Sequence, residues 1–510
     1  MSARYRRAAR SRRPVTRPPG PGGGLRVGSS AARWVLAATV LGSGMAQLDA
    51  TVVNVALPSI GRSLHAGVGP LQLVVTGYSV TLAALILLAG MLGDRLGRRR
   101  VFVAGVVWFA VASLLCALAP TAGMLVGARA LQGIGGALLT PGSLAIIEAS
   151  FDPTERGRAI GVWSGLGGVA AAVGPLIGGY LVQTVSWRAI FLLNLPLGAV
   201  VWWLAVRHVP ESRDETVTGR LDYPGAILAT AGLAGATYAM VDGTARGLGS
   251  PAVAAAALVG IVGLGGFVLV ERRSAHPMLP LDIFAARQFT AANLVTFVVY
   301  AALGGVFFLL VVVLQDALGY SPVQAGAASL PVTALMLGLS SRSGALAQRI
   351  GPRIPLTVGP LLIAAGMLLM TRIGPGAGYV SAVLPAVVVF GLGLAATVAP
   401  VTATVLAAAD SRHAGTASGV NNAVARTAGL LAVALLPPIA GLTGDTFTQP
   451  HALATGFHTA MVVTAALAAA GGLLAWLTIS DNALAGTSPD HHPPSCSLAG
   501  PPALPRRPSH

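Results

Sequence analysis

Of the 510 residues of this chain, 54% are hydrophobic and 10% charged, where a soluble domain usually carries about 25% charge. That deficit excludes a chain made only of water-soluble domains. The formal charge of +16 could suggest a nucleic-acid partner, but every one of the 33 basic residues is arginine and their placement points elsewhere.

A helix that crosses a bilayer needs about 20 predominantly apolar residues. In chain order, apolar runs cover 34–57, 71–92, 101–119, 125–147, 159–185, 189–206, 223–241, 251–270, 289–314, 323–346, 354–371, 379–396, 420–442 and 460–479. These fourteen runs predict an all-α integral membrane protein. The break between the third and fourth rests on Pro120, and that between the eleventh and twelfth on the glycines of 374–378. A basic segment precedes the first run, as in a secretory signal. Its 24 residues exceed the roughly 7–15 of a signal's apolar region, so it is expected to be retained as the first span.

With the N-terminus and every even-numbered loop assigned to the cytoplasm, sixteen arginines fall in inner loops. Four, Arg62, Arg188, Arg246 and Arg372, fall in outer ones. This bias predicts a multi-pass protein of the cell membrane, a bacterial inner membrane, with both termini cytoplasmic. The tail 1–33, rich in arginine, proline and glycine, has no apolar period and is expected to be disordered, free to attract anionic lipid. The tail 481–510 is expected to be disordered as well. The partners implied are the lipid bilayer, a small-molecule substrate and protons, with no nucleic acid. Cys116 and Cys496 are too few and too far apart for a disulfide framework or a metal cluster. No Gly-Lys-Ser/Thr phosphate loop occurs, which argues against ATP as direct fuel, and no cofactor is expected.

The loop after the second run reads Gly90-Met-Leu-Gly-Asp94-Arg95-Leu-Gly97-Arg98-Arg99, and that after the tenth reads Gly344-Ala-Leu-Ala-Gln348-Arg349-Ile-Gly351-Pro-Arg353. Glycine, leucine, arginine, glycine and arginine match in register across eight spans. Such a shift fits two six-helix halves, 34–207 and 289–480, with an inserted pair at 223–270 flanked by cytoplasmic linkers 208–222 and 271–288. Parallel repeats of this kind place a substrate site between the halves near mid-membrane. The chain resembles the major facilitator superfamily, and within it the fourteen-helix drug:proton antiporter branch, over nearly all of 34–480. The resemblance implies the major facilitator fold, with helices seven and eight as two additional central helices.

Asp49, in Leu48-Asp49-Ala-Thr51-Val-Val-Asn54-Val-Ala-Leu57-Pro58, is the only charge in the first run. A carboxylate at membrane depth costs about 2.5–3.5 kcal/mol on insertion scales, so it is expected to face a cavity, a partner or a proton path. Spacing places it in the outer half of its span. Arg129, Gln132, Gly133 and Gly136 share one face of the fourth run and resemble the family's proton-coupling motif. Arg129 stays protonated, leaving open whether it tunes a carboxylate or is a structural cation. The resemblance makes Asp94, Arg95 and Arg98, with Gly90 and Gly97, the gating motif. It adds Glu148 as the acid that Asp94 and Arg98 would meet, and as a second proton-coupling candidate. In the fifth run, Gly174-Pro175-Leu-Ile-Gly178-Gly179 resembles the antiporter motif that marks exporters, although small residues at this spacing also serve tight packing. Asn54, Gln132 and Arg426 are candidate cavity-lining residues, with Arg426 read chiefly as structural. The stretch from Trp187 to Pro196 resembles the branch without evident chemistry.

These features predict a secondary active exporter, not an enzyme, that exchanges inward-moving protons for hydrophobic or cationic drugs or secondary metabolites. The alternatives are a proton-linked exporter of an endogenous metabolite or lipid precursor, and a non-transporting receptor or scaffold. Because Asp49 is the only clear mid-span acid, multivalent cations are not favoured as cargo.

Overall fold

The computed structural model describes residues 24–152, 155–213, 222–247, 249–274, 277–408, 414–442, 449–481 and 483–484. The expected tail residues 1–23 and 485–510 and most of the linker 208–222 lie outside them. Thirteen segments among the described residues are long and apolar enough to cross a membrane. We number these with the 29-residue helix Arg156–Thr184 as α1–α14. They are α1 (Ser30–Leu64), α2 (Val68–Leu96), α3 (Arg98–Leu118), α4 (Ala122–Ser150), α5 (Arg156–Thr184), α6 (Ala189–His208) and α7 (Tyr223–Arg246). The series continues with α8 (Pro251–Arg273), α9 (Arg287–Asp316), α10 (Pro322–Ile350), α11 (Arg353–Met370), α12 (Tyr379–Ala407), α13 (Ala414–Ile439) and α14 (Pro450–Thr478). The described residues form no named strand; Leu25 and Phe151 make an isolated bridge.

Local chemistry sets the ends. The Ser29 side chain accepts a hydrogen bond from the Ala32 amide and starts α1, Thr121 does the same for α4, and Ser321 with Gln324 forms a reciprocal capping box at α10. The two doubtful breaks are real, with α3 ending at Leu118 and α11 at Met370. Two runs that read as continuous are interrupted. In α10 the helix breaks at Ser329, because Pro331 lacks an amide and its ring crowds the carbonyl four residues back; Pro196 acts in the same way on α6 at Leu193. The twelfth run continues well past 396, since the hydroxyls of Thr397, Thr402 and Thr404 bond to carbonyls one turn back and need no water.

Two six-helix groups result. In the first, α1 packs on α5 and α6, and α4 on α2 and α3; in the second, α9 packs on α13 and α14, and α11 and α10 on α12. The inserted pair α7–α8 zips together where Gly232 meets Gly263 and Leu264, backbone on backbone, and α7 leans on α2 and α13. The groups meet along α2–α13 and along α5–α10. At one end of the bundle the seam is closely joined. Gln315 of α9 donates to the Val55 carbonyl at 2.9 Å, Gln72 donates to the Val433 carbonyl at 2.6 Å, and Arg62 pairs with Asp316 at 3.3 Å.

Candidate functional site: a buried charge cluster and its gating loops

Asp49 sits just past the middle of the 35-residue α1 and is 2% exposed. Four helices converge on it. Arg129 of α4 forms an ion pair with Asp49 Oδ2. Gln132, one turn further along α4, donates from Nε2 to Asp49 Oδ1 at 2.8 Å and to Ser113 Oγ of α3 at 2.7 Å. Asn194 of α6 donates to the same Asp49 oxygen at 3.1 Å and to Ser113 Oγ at 3.2 Å. The guanidinium is held on its other sides: Nε donates to the Val74 carbonyl at 3.2 Å, Nη1 to Gln132 Oε1 at 2.6 Å, and the Tyr78 ring of α2 stacks on it at 4.4 Å.

Asp49, Arg129, Gln132, Ser113 and Asn194 are all buried. Gln132, expected to line a cavity, is instead fully enclosed, because its amide is occupied by three polar side chains. Asn194 lies in the stretch that showed no chemistry in the sequence. Its break at Pro196 and the turn from Leu193 aim the amide inward, a placement no local spacing reveals. Asn54, one turn beyond Asp49, stands apart from the cluster, and its buried Oδ1 has no partner.

At the far end of α2, Arg98 bonds Asp94 Oδ1 at 2.8 Å through both Nε and Nη2, and its Nη1 reaches the Ala145 carbonyl of α4 at 3.3 Å. Glu148, one turn beyond Ala145, lies within electrostatic reach of Arg98, Arg156 and Asp94. Gly90 faces Pro141 of α4. Arg95 is exposed.

The residue that clasps this loop was not visible in the sequence. Glu211, just past α6, accepts from the Arg99 amide at 3.1 Å and pairs with Arg99 and Arg100 at 3.6 Å each. Its carboxylate lies 2.6 Å from the place a Cβ on Gly97 would take, and Gly97 holds φ +111°. The positive φ favours glycine there. The second half repeats the device: Gly351 has φ +86°, with Asp481, just past α14, 2.9 Å from its would-be Cβ. Gln348, in the place of Asp94, is exposed.

The glycines of α5 serve as contact points on two sides. Gly178 faces Val52 of α1, where a Cβ would meet Val52 Cγ1 at 2.8 Å, and Gly174 faces Thr51. Gly179 faces α10 of the other half, with Val323 Cα 2.8 Å from its would-be Cβ, while Gly326 returns the contact to the Pro175 carbonyl. The motif therefore sits on the seam between halves.

An all-helical membrane protein of two related six-helix groups, with a buried charge pair in one group and glycine contacts across the seam, has the build of a transporter. The sequence profile of the Major Facilitator Superfamily matches residues 39–433, and the chain belongs to that superfamily. It is 38% identical over 464 residues to a puromycin resistance protein of Streptomyces alboniger, covering 88% of this chain and 91% of the relative. It is 34% identical over 421 residues to a tetracenomycin C resistance and export protein of Streptomyces glaucescens, covering 82% of this chain and 78% of the relative. Among solved structures, a bacterial homologue of the human lysosomal transporter Spinster, inward-facing and unoccupied, superposes with a TM-score of 0.64 at 17% identity. That match spans 90% of this chain and 99% of the other, and shows a shared fold.

Proposed function

We propose that the protein is a proton-driven exporter of hydrophobic small molecules of the antibiotic class, working by alternating access. The observation that carries the reading is the sealed Asp49–Arg129 pair with its amide and hydroxyl lining. As drawn, the pair is neutral overall. A proton on Asp49 leaves Arg129 an uncompensated cation in an enclosed site, and breaking a buried pair in this way costs about 3–5 kcal/mol. Protonation and the sealed arrangement therefore exclude one another, so taking up a proton drives the bundle toward a state that hydrates Arg129. That mutual exclusion couples the proton to the switch. One charge moved through about 100 mV supplies about 2.3 kcal/mol, enough to bias the cycle.

In the proposed orientation the termini and the Asp94–Arg98 loop are cytoplasmic in the cell membrane, and the tightly joined end with Arg62–Asp316 faces outward. The conformation is then closed to the outside. Asp94, Arg98 and Glu148 act as a gate on the inner side, and the export direction agrees with the name of the tetracenomycin C resistance and export protein. A receptor or scaffold would have no need of a charge pair built into the membrane interior, where each charge is costly. Purified protein in vesicles with an imposed pH gradient tests the reading. Adding puromycin or tetracenomycin C to the medium outside everted-orientation vesicles, where the cytoplasmic face is exposed, should change proton flux in proportion to drug uptake into the lumen, and both should stop with an uncoupler. Drug flux indifferent to the gradient would refute proton drive.

A further inference from the structure

Arg426 of α13 is the second arginine of the membrane interior, and it lacks the carboxylate and amide partners that hold Arg129. Its Nε is buried without a hydrogen-bond partner, while the side chain as a whole is partly exposed. Its electrostatic neighbours are Tyr78 on α2 and Tyr300 on α9, one from each half, with no carboxylate among the described residues; the Tyr78 hydroxyl is itself buried and donates to the Ala46 carbonyl at 3.4 Å. The helix packing explains this position. Gln72 meets Val433 near one end of the α2–α13 contact, and Leu87 meets the Gly419 backbone near the other. Antiparallel packing between those points sets Arg426 beside the turn of α2 that carries Tyr78. On the neighbouring face of α13, Asn421 is bound to Asn293 and Thr296 of α9 at 3.2 and 2.9 Å and does not serve Arg426.

The acid side of the ledger is closed. Asp49, the one carboxylate near mid-span, has both oxygens engaged, by Arg129 on one side and by Gln132 and Asn194 on the other. A cationic cargo entering the seam would meet an unpaired guanidinium and, among the described residues near mid-span, no free carboxylate. An unpaired interior cation is costly unless something supplies its counter-charge.

We infer that Arg426 is a cargo-binding residue at the seam, taking a carboxylate, sulfonate or phenolate group on an otherwise hydrophobic substrate, with Tyr300 beside it. Of the hydrophobic or cationic cargo expected from the sequence, this inference keeps the hydrophobic body and gives it an acidic group. Tyr78 also stacks on Arg129, so one buried side chain stands between Arg426 and the proton site. An anion also leaves a negative-inside cell with the membrane potential. The inference rests on the export reading for its physiological direction, but binding alone can test it.

The experiment measures binding to purified protein in phosphatidylcholine nanodiscs, with no gradient, of three aromatic probes: anionic 1-anilinonaphthalene-8-sulfonate, neutral N-phenyl-1-naphthylamine and cationic rhodamine 6G. Wild-type protein should favour the sulfonate over the neutral probe. Arg426→Gln should weaken the sulfonate by about tenfold or more while leaving the neutral probe within about twofold, and Arg426→Lys should keep part of the preference. Wild-type protein without a preference for the sulfonate overturns the inference even if Arg426→Gln fails to fold, and leaves proton-driven export standing. Equal loss of all three probes in folded Arg426→Gln overturns it too. A lipid headgroup could satisfy the guanidinium by the same chemistry. If adding phosphatidylglycerol abolishes the sulfonate's advantage, the site belongs to lipid and the cargo assignment falls.

Discussion

Replacing Arg129 by methionine should destabilise the protein strongly, and replacing Asp49 as well should restore much of the loss. In Arg129→Met the Asp49 carboxylate, 2% exposed, keeps two amide donors, from Gln132 at 2.8 Å and Asn194 at 3.1 Å, but has no cation. Removing one partner of a buried pair costs about 3–5 kcal/mol, whereas removing both together is often close to neutral. Asp49→Asn alone should cost less than Arg129→Met, because the guanidinium retains the Val74 carbonyl, Gln132 Oε1 and the face of Tyr78, the last worth about 2 kcal/mol when desolvated. The expected order of stability is wild type, then the double variant and Asp49→Asn, with Arg129→Met last. Tryptophan fluorescence during heating in one detergent at one scan rate reads the order, since membrane proteins unfold irreversibly and only like conditions compare. Additive losses, with the double variant less stable than either single one, would refute the coupled-pair argument.

Gly97→Ala should impair transport and lower stability by at least about 1 kcal/mol, because a Cβ is disfavoured at φ +111° and also meets the Glu211 carboxylate. Unchanged flux and melting would show the loop to be slack. Arg98→Ala and Asp94→Asn should reduce flux while leaving drug affinity within about twofold, since this pair lies far from Arg426 and Asp49 along α2; flux and binding falling together would point to folding instead. Reporter fusions at Gly20 and Ala485 should both report the cytoplasm, and opposite sides would contradict an even number of spans.

The sequence makes the membrane class, the repeat and half of the charge cluster legible, each for a physical reason. Asp49 and Arg129 stand out because a charge inside an apolar run is rare and costly, and Gln132 because helical spacing sets it beside Arg129. Ser113 and Asn194 are hidden, since a hydroxyl or an amide in a helix has ordinary uses and only the tertiary packing of α3 and α6 aims them at Asp49. Gly97 could be read as part of a motif but not as the seat of a positive φ, and its partner Glu211 comes more than a hundred residues later. Arg426 could be seen as an interior cation, yet the lack of an acid among its described neighbours depends on how α2, α9 and α13 meet.

The central claim is that Asp49 carries the exchangeable proton, and Asp49→Asn tests it most directly. Asparagine keeps the size of the side chain and can still hydrogen-bond to Gln132 and Asn194, but it cannot titrate. Substrate-driven proton movement in energised vesicles, with protein level and thermal stability measured alongside, should vanish in Asp49→Asn and survive in part in Asp49→Glu. Export by Asp49→Asn at the wild-type rate, with the same dependence on the pH gradient, would contradict the account and move the coupling to another acid, with Glu148 first in line.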